Sequence, residues 1–289
     1  MKRLTLSAIA ISALLASCTT NTITGRSQLA LFPESTLQQE AVGQYQSFLS
    51  QSRVVSQSNS RDAEMVKRVG SRIANAITSY YKQKGNLAEL EGYNWEFNLV
   101  EDKSVNAWAM PGGKVVIYTG LLAVTQNEAA LAVVMGHEIT HAVAHHGNER
   151  MSQATLAQGL QVAGNIFTQN RQQANAIFNN VFAPAAQVGV LLPNSRKQET
   201  EADRFGLIFS AIAGYNPQEA IPFWERMAAA SASSGNQKPP VFLSSHPSDE
   251  SRIESLRRYM PEALKYYKPL KKYYFIHRME SPAYMRGFL

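Results

Sequence analysis

Cysteine is almost missing from this chain. Its 289 residues hold one, Cys18, so an intrachain disulfide and a cysteine-based metal site are both excluded. Any metal must be held by His, Asp or Glu. No apolar run reaches the roughly 18–20 residues that span a bilayer. No period near 34 residues recurs, which excludes an appended helical solenoid. Charge is sparse, at 17% of residues, while 45% are hydrophobic. That balance excludes disorder over the whole length and supplies one sizeable core. The net charge is +6, a mild basic excess that suits an anionic membrane surface or wall polymer and argues against nucleic acid as a partner.

The N-terminal run MKRLTLSAIAISALLAS reads as an address. Lys2 and Arg3 form a positive start, and Leu4 to Ala16 form an apolar stretch too short to span. Leu15-Ala16-Ser17-Cys18 resembles the lipobox of bacterial lipoproteins. The resemblance implies cleavage before Cys18, acylation of its thiol and new amine, and attachment to a membrane. Thr19, where retained lipoproteins carry Asp, implies the periplasmic face of the outer membrane. The expected organisation is a signal peptide over 1–17, a lipidated cysteine and tether over 18–33, and one domain over 34–289.

Within that domain, residues 34–56 and 61–84 read as helices, the second with Val66, Val69, Ile73, Ile77 and Tyr80 on one stripe. Trp95, Phe97 and Leu99 alternate with their neighbours as in a half-buried strand. Pro111-Gly112-Gly113 is a turn, and Lys114 to Thr119 a second strand, expected at the sheet edge. Thr125 and Glu128 match a capping box for a helix running to about His146, with Gly147 as its stop. Further helices are expected over 196–213, from Asn216-Pro217 to about Ser234, and from Ser248 onward. The fold class is mainly α with a small β-sheet (α+β), antiparallel or mixed.

The capped helix carries His137-Glu138-Ile139-Thr140-His141. Positions i and i+4 share one helical face, so the two imidazoles can hold one zinc ion. Glu138 follows the first of them and stands beside the metal, placed to take a proton from a water that the metal acidifies. The flanks Leu131, Val133, Val134, Met135 and Val143 are apolar, and buried imidazoles need partners. A catalytic zinc usually takes three protein ligands. Glu199 and Asp203 lie on one face of a later helix, so Glu199 is a candidate third ligand and Asp203 a candidate support for a ligand histidine. Glu201 is turned about 200° from Glu199 and should point elsewhere.

HEITH followed by ETEAD resembles peptidase family M48, the gluzincins that include HtpX-like and CAAX prenyl endopeptidase-like proteases. Asn106 to Gly113, Asn127-Glu128 with Leu131-Ala132, and Ser245-His246-Pro247-Ser248 with Arg252 resemble other segments of that family. The resemblance covers roughly residues 60–258. It implies a gluzincin-type zinc endopeptidase with the motif on a core helix. His137, His141 and Glu199 would bind one Zn2+, Glu138 would be the base, and Asp203 would support the site. It also implies a position near the metal cleft for His246. There the imidazole has three open uses: donor to the oxyanion, occupant of zinc's free position, or a helix-start residue bonded to nearby backbone. Pro247 fixes how the ring is presented.

The expected activity is hydrolysis of internal peptide bonds in unfolded or misassembled envelope proteins, which present an extended backbone for strand addition. Envelope assembly machinery is an expected partner class. The rival reading is a chaperone-like or scaffold lipoprotein with little turnover. Three weaker signals stay open. His145 can extend the metal face or end the helix against its dipole. Residues 151–195, nearly uncharged, can be buried helices or a lid. The Lys- and Tyr-rich run 265–278, in which His277 reads as a surface residue, can be a solvated edge, a contact for anionic lipid or wall polymer, or a nucleic-acid contact, which an export signal disfavours.

Overall fold

A computed structural model of the chain describes residues 18–157, 181, 195–233, 240–246 and 250–270. The expected signal peptide, most of the 151–195 stretch, Pro247 to Asp249, and the basic tail from 271 with His277 lie outside the described residues.

Lys114–Tyr118 (β5) is buried at every position. The reason is visible in its alternation. Val115 and Ile117 enter one apolar core, with Phe97, Leu99 and Ala107. Val116 and Tyr118 enter a second, with Trp108 and Met110. Both of its sides are hydrogen-bonded as well, so β5 is the middle of three strands. Glu96–Val100 (β3) pairs with it in parallel and Ala107–Met110 (β4) in antiparallel fashion. The sheet is therefore mixed, and the expectation that 114–119 forms its edge is corrected: β4 and β3 are the edges. The Arg53–Val55 segment bonds β3's outer side through Val55 N to Leu99 O and Glu101 N to Arg53 O.

Glu34–Gln51 (α1) covers the face of the second core with Leu37, Ala41, Tyr45 and Phe48. Arg61–Gln83 (α2) covers the other with the stripe read from the sequence, Val66 through Tyr80. After the short Thr119–Thr125 (α3), Glu128–Val143 (α4) enters the main core buried from Ala130 to Val143. Its cap is Asn127, whose side chain accepts from Ala130 N, and not Thr125, which ends α3. Its stop also differs from expectation. His145, at φ 57°, takes the left-handed turn expected of Gly147, and His146–Ala157 (α5) starts at once.

Arg196–Ile212 (α6) begins with a capping box between Ser195 and Gln198 and packs along α4. The crossing is closest at Gly136 and Gly206. A Cβ on Gly136 would stand 2.8 Å from Gly206 O, and one on Gly206 2.8 Å from His137 N. Only glycine permits that approach, which sets the motif of α4 against the first turns of α6. Ala220–Ser233 (α7), Val241–Ser245 (α8) and Glu250–Leu264 (α9) close the remaining side. Among the described residues no helix is long and apolar enough to cross a membrane.

Residues 18–33, expected as a tether, are folded onto the domain. Cys18–Thr20 (β1) and Ser27–Leu29 (β2) form an antiparallel hairpin. The amides of Asn21 and Gln28, both buried, donate to Ala144 O at 3.0 and 2.9 Å. Tyr81 and Tyr93 hydroxyls donate to Val143 O and Ala142 O. The last carbonyls of a helix lack internal partners, and these four donors supply them for α4. Polarity that reads as linker in the sequence is here the cap of the motif helix.

Candidate metal centre

His137 and His141 project from α4 toward Glu199 of α6 and His246, the residue that ends α8. One ligand atom from each lies within 4.8 Å of the others, and all four residues are buried. His141 Nε2 is 3.0 Å from His137 Nε2. His246 Nδ1 is 3.1 Å from His137 Nε2 and 3.0 Å from Glu199 Oε1. His141 Nε2 is 3.4 Å from Glu199 Oε1. Each residue expected as a ligand is therefore in the cluster, and His246 joins them. Its backbone N–H bonds Phe242 O, and its ring stacks on Phe242 with centroids 4.6 Å apart, which fixes its presentation.

The cluster fits a cation. His137 Nδ1 lies 2.9 Å from Asp203 Oδ1. A carboxylate oxygen only accepts, so the ring proton sits on Nδ1 and Nε2 is left with a lone pair. That lone pair faces the other imidazoles and Glu199, with Arg252 Nη2 3.4 Å away. Glu138 Oε1 and Glu199 Oε2 are buried and make no hydrogen bond, although Arg252 Nη1 stands 2.9 Å from the latter. Nitrogen and carboxylate donors at this spacing are the set that zinc takes.

Charge is managed from one side. Arg252, buried on α9, bonds Asp203 Oδ1 through Nη2 at 2.7 Å and lies 3.7 Å from the Trp224 ring centroid. Burial alone would raise the Glu199 carboxyl, but His246 and Arg252 outweigh it and hold it well below the usual range. Burial raises Glu138, with His246 and His137 opposing. Burial pushes His141 well below its ordinary value and His146 below it too, with Glu199 and Glu201 opposing. Glu138 lies beside the cluster, with Oε1 3.3 Å from His246 Nε2.

His145 is outside the cluster. Its Nδ1 lies 3.1 Å from Glu34 Oε1 and its Nε2 3.7 Å from Glu89 Oε2. Burial lowers it, but those carboxylates prevail and raise it to about 9. Glu201 points away from the cluster, as its helical position implied, and bonds His146 and Arg26. The sequence reading did not single out His146, and assigned no role to Arg252. His146 lies beyond the end of α4, where helical spacing no longer predicts direction.

The model of Peptidase family M48 matches residues 60–260. The chain is 36% identical over 170 residues to the mitochondrial metalloendopeptidase OMA1 of Schizosaccharomyces pombe, covering 58% of this chain and 48% of that protein. It is 35% identical over 183 residues to the OMA1 of Saccharomyces cerevisiae, covering 62% and 51%. A putative beta-barrel assembly-enhancing protease of Vibrio cholerae is 33% identical over 181 residues, covering 61% and 36%. The matched part thus spans about half or less of each relative. The motif helix, the facing glutamate and the mixed sheet all lie inside the 60–260 match, and the chain belongs to peptidase family M48.

Proposed function

We propose that this chain is a zinc-dependent metalloendopeptidase that hydrolyses internal peptide bonds of unfolded or misassembled cell-envelope proteins. The observation that carries the reading is the buried quartet of His137, His141, Glu199 and His246 with Glu138 alongside. His137, His141 and Glu199 would hold the ion. When bound, zinc polarises a carbonyl and acidifies water. Glu138 takes the proton of the attacking water and delivers it to the leaving amine, so a C–O bond forms as the C–N bond breaks. Its raised pKa brings it nearer the working pH of such a base. Asp203 holds the His137 ring, and Arg252 holds Asp203.

Of the three uses open to His246, its geometry supports occupation of the metal's remaining position. With zinc bound by His137, His141 and Glu199, His246 would be a fourth ligand and would leave no place for water or substrate. A chain so ligated would be latent until His246 leaves the metal. An extended substrate would then add to the edge strand β4, which packs beside α4, gaining main-chain hydrogen bonds that tolerate many sequences.

For place, the support is the lipobox-like run and the exposure of Cys18 at the start of β1. Lipid on that thiol would hold the domain on the outer membrane facing the periplasm, in reach of envelope assembly machinery. The Vibrio cholerae relative, named for beta-barrel assembly, agrees with an envelope role. Cys18→Ala should release the chain from the membrane fraction or block its processing; a variant processed normally and still membrane-bound would refute the anchor.

The test is casein turnover by the full chain. The proposal expects cleavage that a chelator abolishes and zinc restores, and faster cleavage by His246→Ala with its zinc content unchanged. A fall on the order of 10²–10³ in that variant would instead assign His246 to the oxyanion. No turnover by either protein, with zinc bound, would favour the scaffold reading.

A further inference from the structure

His141 has a second ring nitrogen, and it is engaged. Its Nδ1 lies 2.9 Å from His146 Nδ1, and His146 Nε2 lies 2.9 Å from Glu201 Oε2. With one proton on each ring, these contacts permit one proton order. A carboxylate only accepts, so His146 Nε2 carries the proton. His146 Nδ1 is then an acceptor, and His141 Nδ1 must donate to it. The series ends with a lone pair on His141 Nε2, the atom that faces His137 Nε2 and Glu199.

The far end of the series is equally well held. Arg26 Nε donates to Glu201 Oε1 at 2.6 Å, and its Nη2 to Oε2 at 3.1 Å. The other side of the same guanidinium grips Glu149 at 2.6 and 2.7 Å. Gln198, the capping residue of α6, also donates to Glu149. His146 is wholly buried, and Arg26 is half-buried. Arg26 belongs to the β1–β2 hairpin that begins at Cys18 and caps α4 through Asn21 and Gln28.

We propose that His146, Glu201 and Arg26 are positioning residues that hold His141 in its metal-binding tautomer, and that through Arg26 the hairpin next to Cys18 is a working part of the metal site. The proposal rests on the zinc reading above. Glu201 is thus no ligand, yet it reaches the metal through two imidazoles. A hairpin pulled from the domain would release Arg26 and loosen the series from its outer end.

The test measures the zinc dissociation constant of the full chain by competition with a chelating dye, alongside the His141 tautomer by long-range 1H–15N NMR of the zinc-free protein. His146→Leu removes the acceptor and should weaken zinc binding on the order of 10–100-fold, as loss of a ligand's hydrogen-bond partner does. It should also bring an Nε2–H form of His141 into view. His146→Asn, whose side-chain oxygen can stand in for Nδ1, should recover most of the affinity, which a merely structural role would not produce. Arg26→Met, at the surface end and the least disruptive to folding, should weaken zinc by a smaller factor. Unchanged affinity and tautomer in folded His146→Leu would overturn the proposal, and unchanged affinity in Arg26→Met would overturn the role of the hairpin. A wild-type chain that binds no zinc would overturn the zinc reading instead, while the tautomer measurement would still stand.

Discussion

His137 and His141 are one helical turn apart, and the molecule holds them in opposite ways. His137 has a short support inside the core: Asp203 at 2.9 Å, itself pinned by Arg252. His141 has a long one that leaves the core through His146 and Glu201 and ends on Arg26, in the N-terminal hairpin. Both end in the same chemistry, a proton on Nδ1 and a lone pair on Nε2. The short support depends on α4, α6 and α9 staying packed. The long one depends on a segment that is peripheral in sequence and nearest the expected membrane anchor. A metal site built this way is robust on one side and adjustable on the other.

The largest effect should come at Glu138, which belongs to neither support. Glu138→Gln should cost on the order of 10²–10⁴ in casein turnover while zinc content is kept, because the amide cannot take the proton. Next comes the short support. In Asp203→Asn, the amide can present its N–H to His137 Nδ1 and drive the ring proton to Nε2, the nitrogen that faces the cluster. Zinc affinity should fall by about 10–100-fold, read by the same dye competition. If Asp203→Asn and Arg26→Met cost the same, the contrast between the two supports is wrong.

The comparison can also be broken at the helix crossing that both supports share. Gly206→Ala would place a Cβ 2.8 Å from His137 N, so the helices must separate. It should cost about 1–3 kcal/mol in denaturant unfolding of the zinc-free chain. A neutral result would mean that the α4–α6 contact does not set the spacing of the ligands.

The smallest effect separates His145 from the metal histidines. Its folded pKa is raised to about 9 from an ordinary value of 6.5. The stability it contributes is therefore complete below about pH 6.5 and is lost as pH rises toward 9. Unfolding free energy should decline across that window, and Glu89→Gln should flatten the decline by about 1 kcal/mol or less, since Glu89 is half-exposed. Zinc affinity should be indifferent to that substitution.

Local spacing made the chemistry legible. HEITH and the Glu199–Asp203 pair are i, i+4 patterns on single helices, so the sequence places each pair on one helical face; that the two faces meet was implied by the family resemblance and is shown by the fold. The α2 stripe was legible for the same reason. What required the folded chain was every feature set by distant partners. β5 reads as an edge until β3 and β4 are seen paired along its two sides. Residues 18–33 read as a tether because Asn21, Arg26 and Gln28 are polar, and nothing in their spacing reveals Ala144, Glu149 or Glu201 as partners. His146 was hidden because His145 breaks the helix in a left-handed turn, and Gly147 is the more obvious breaker.

The central claim is that two imidazoles with prepared lone pairs, Glu199 and His246 surround one zinc ion. Anomalous diffraction at the zinc edge from crystals of the full chain tests it most directly. One peak is expected, about 2.0–2.2 Å from His137 Nε2, His141 Nε2, a Glu199 oxygen and a His246 nitrogen. A peak elsewhere, or none in crystals grown with zinc, would contradict it.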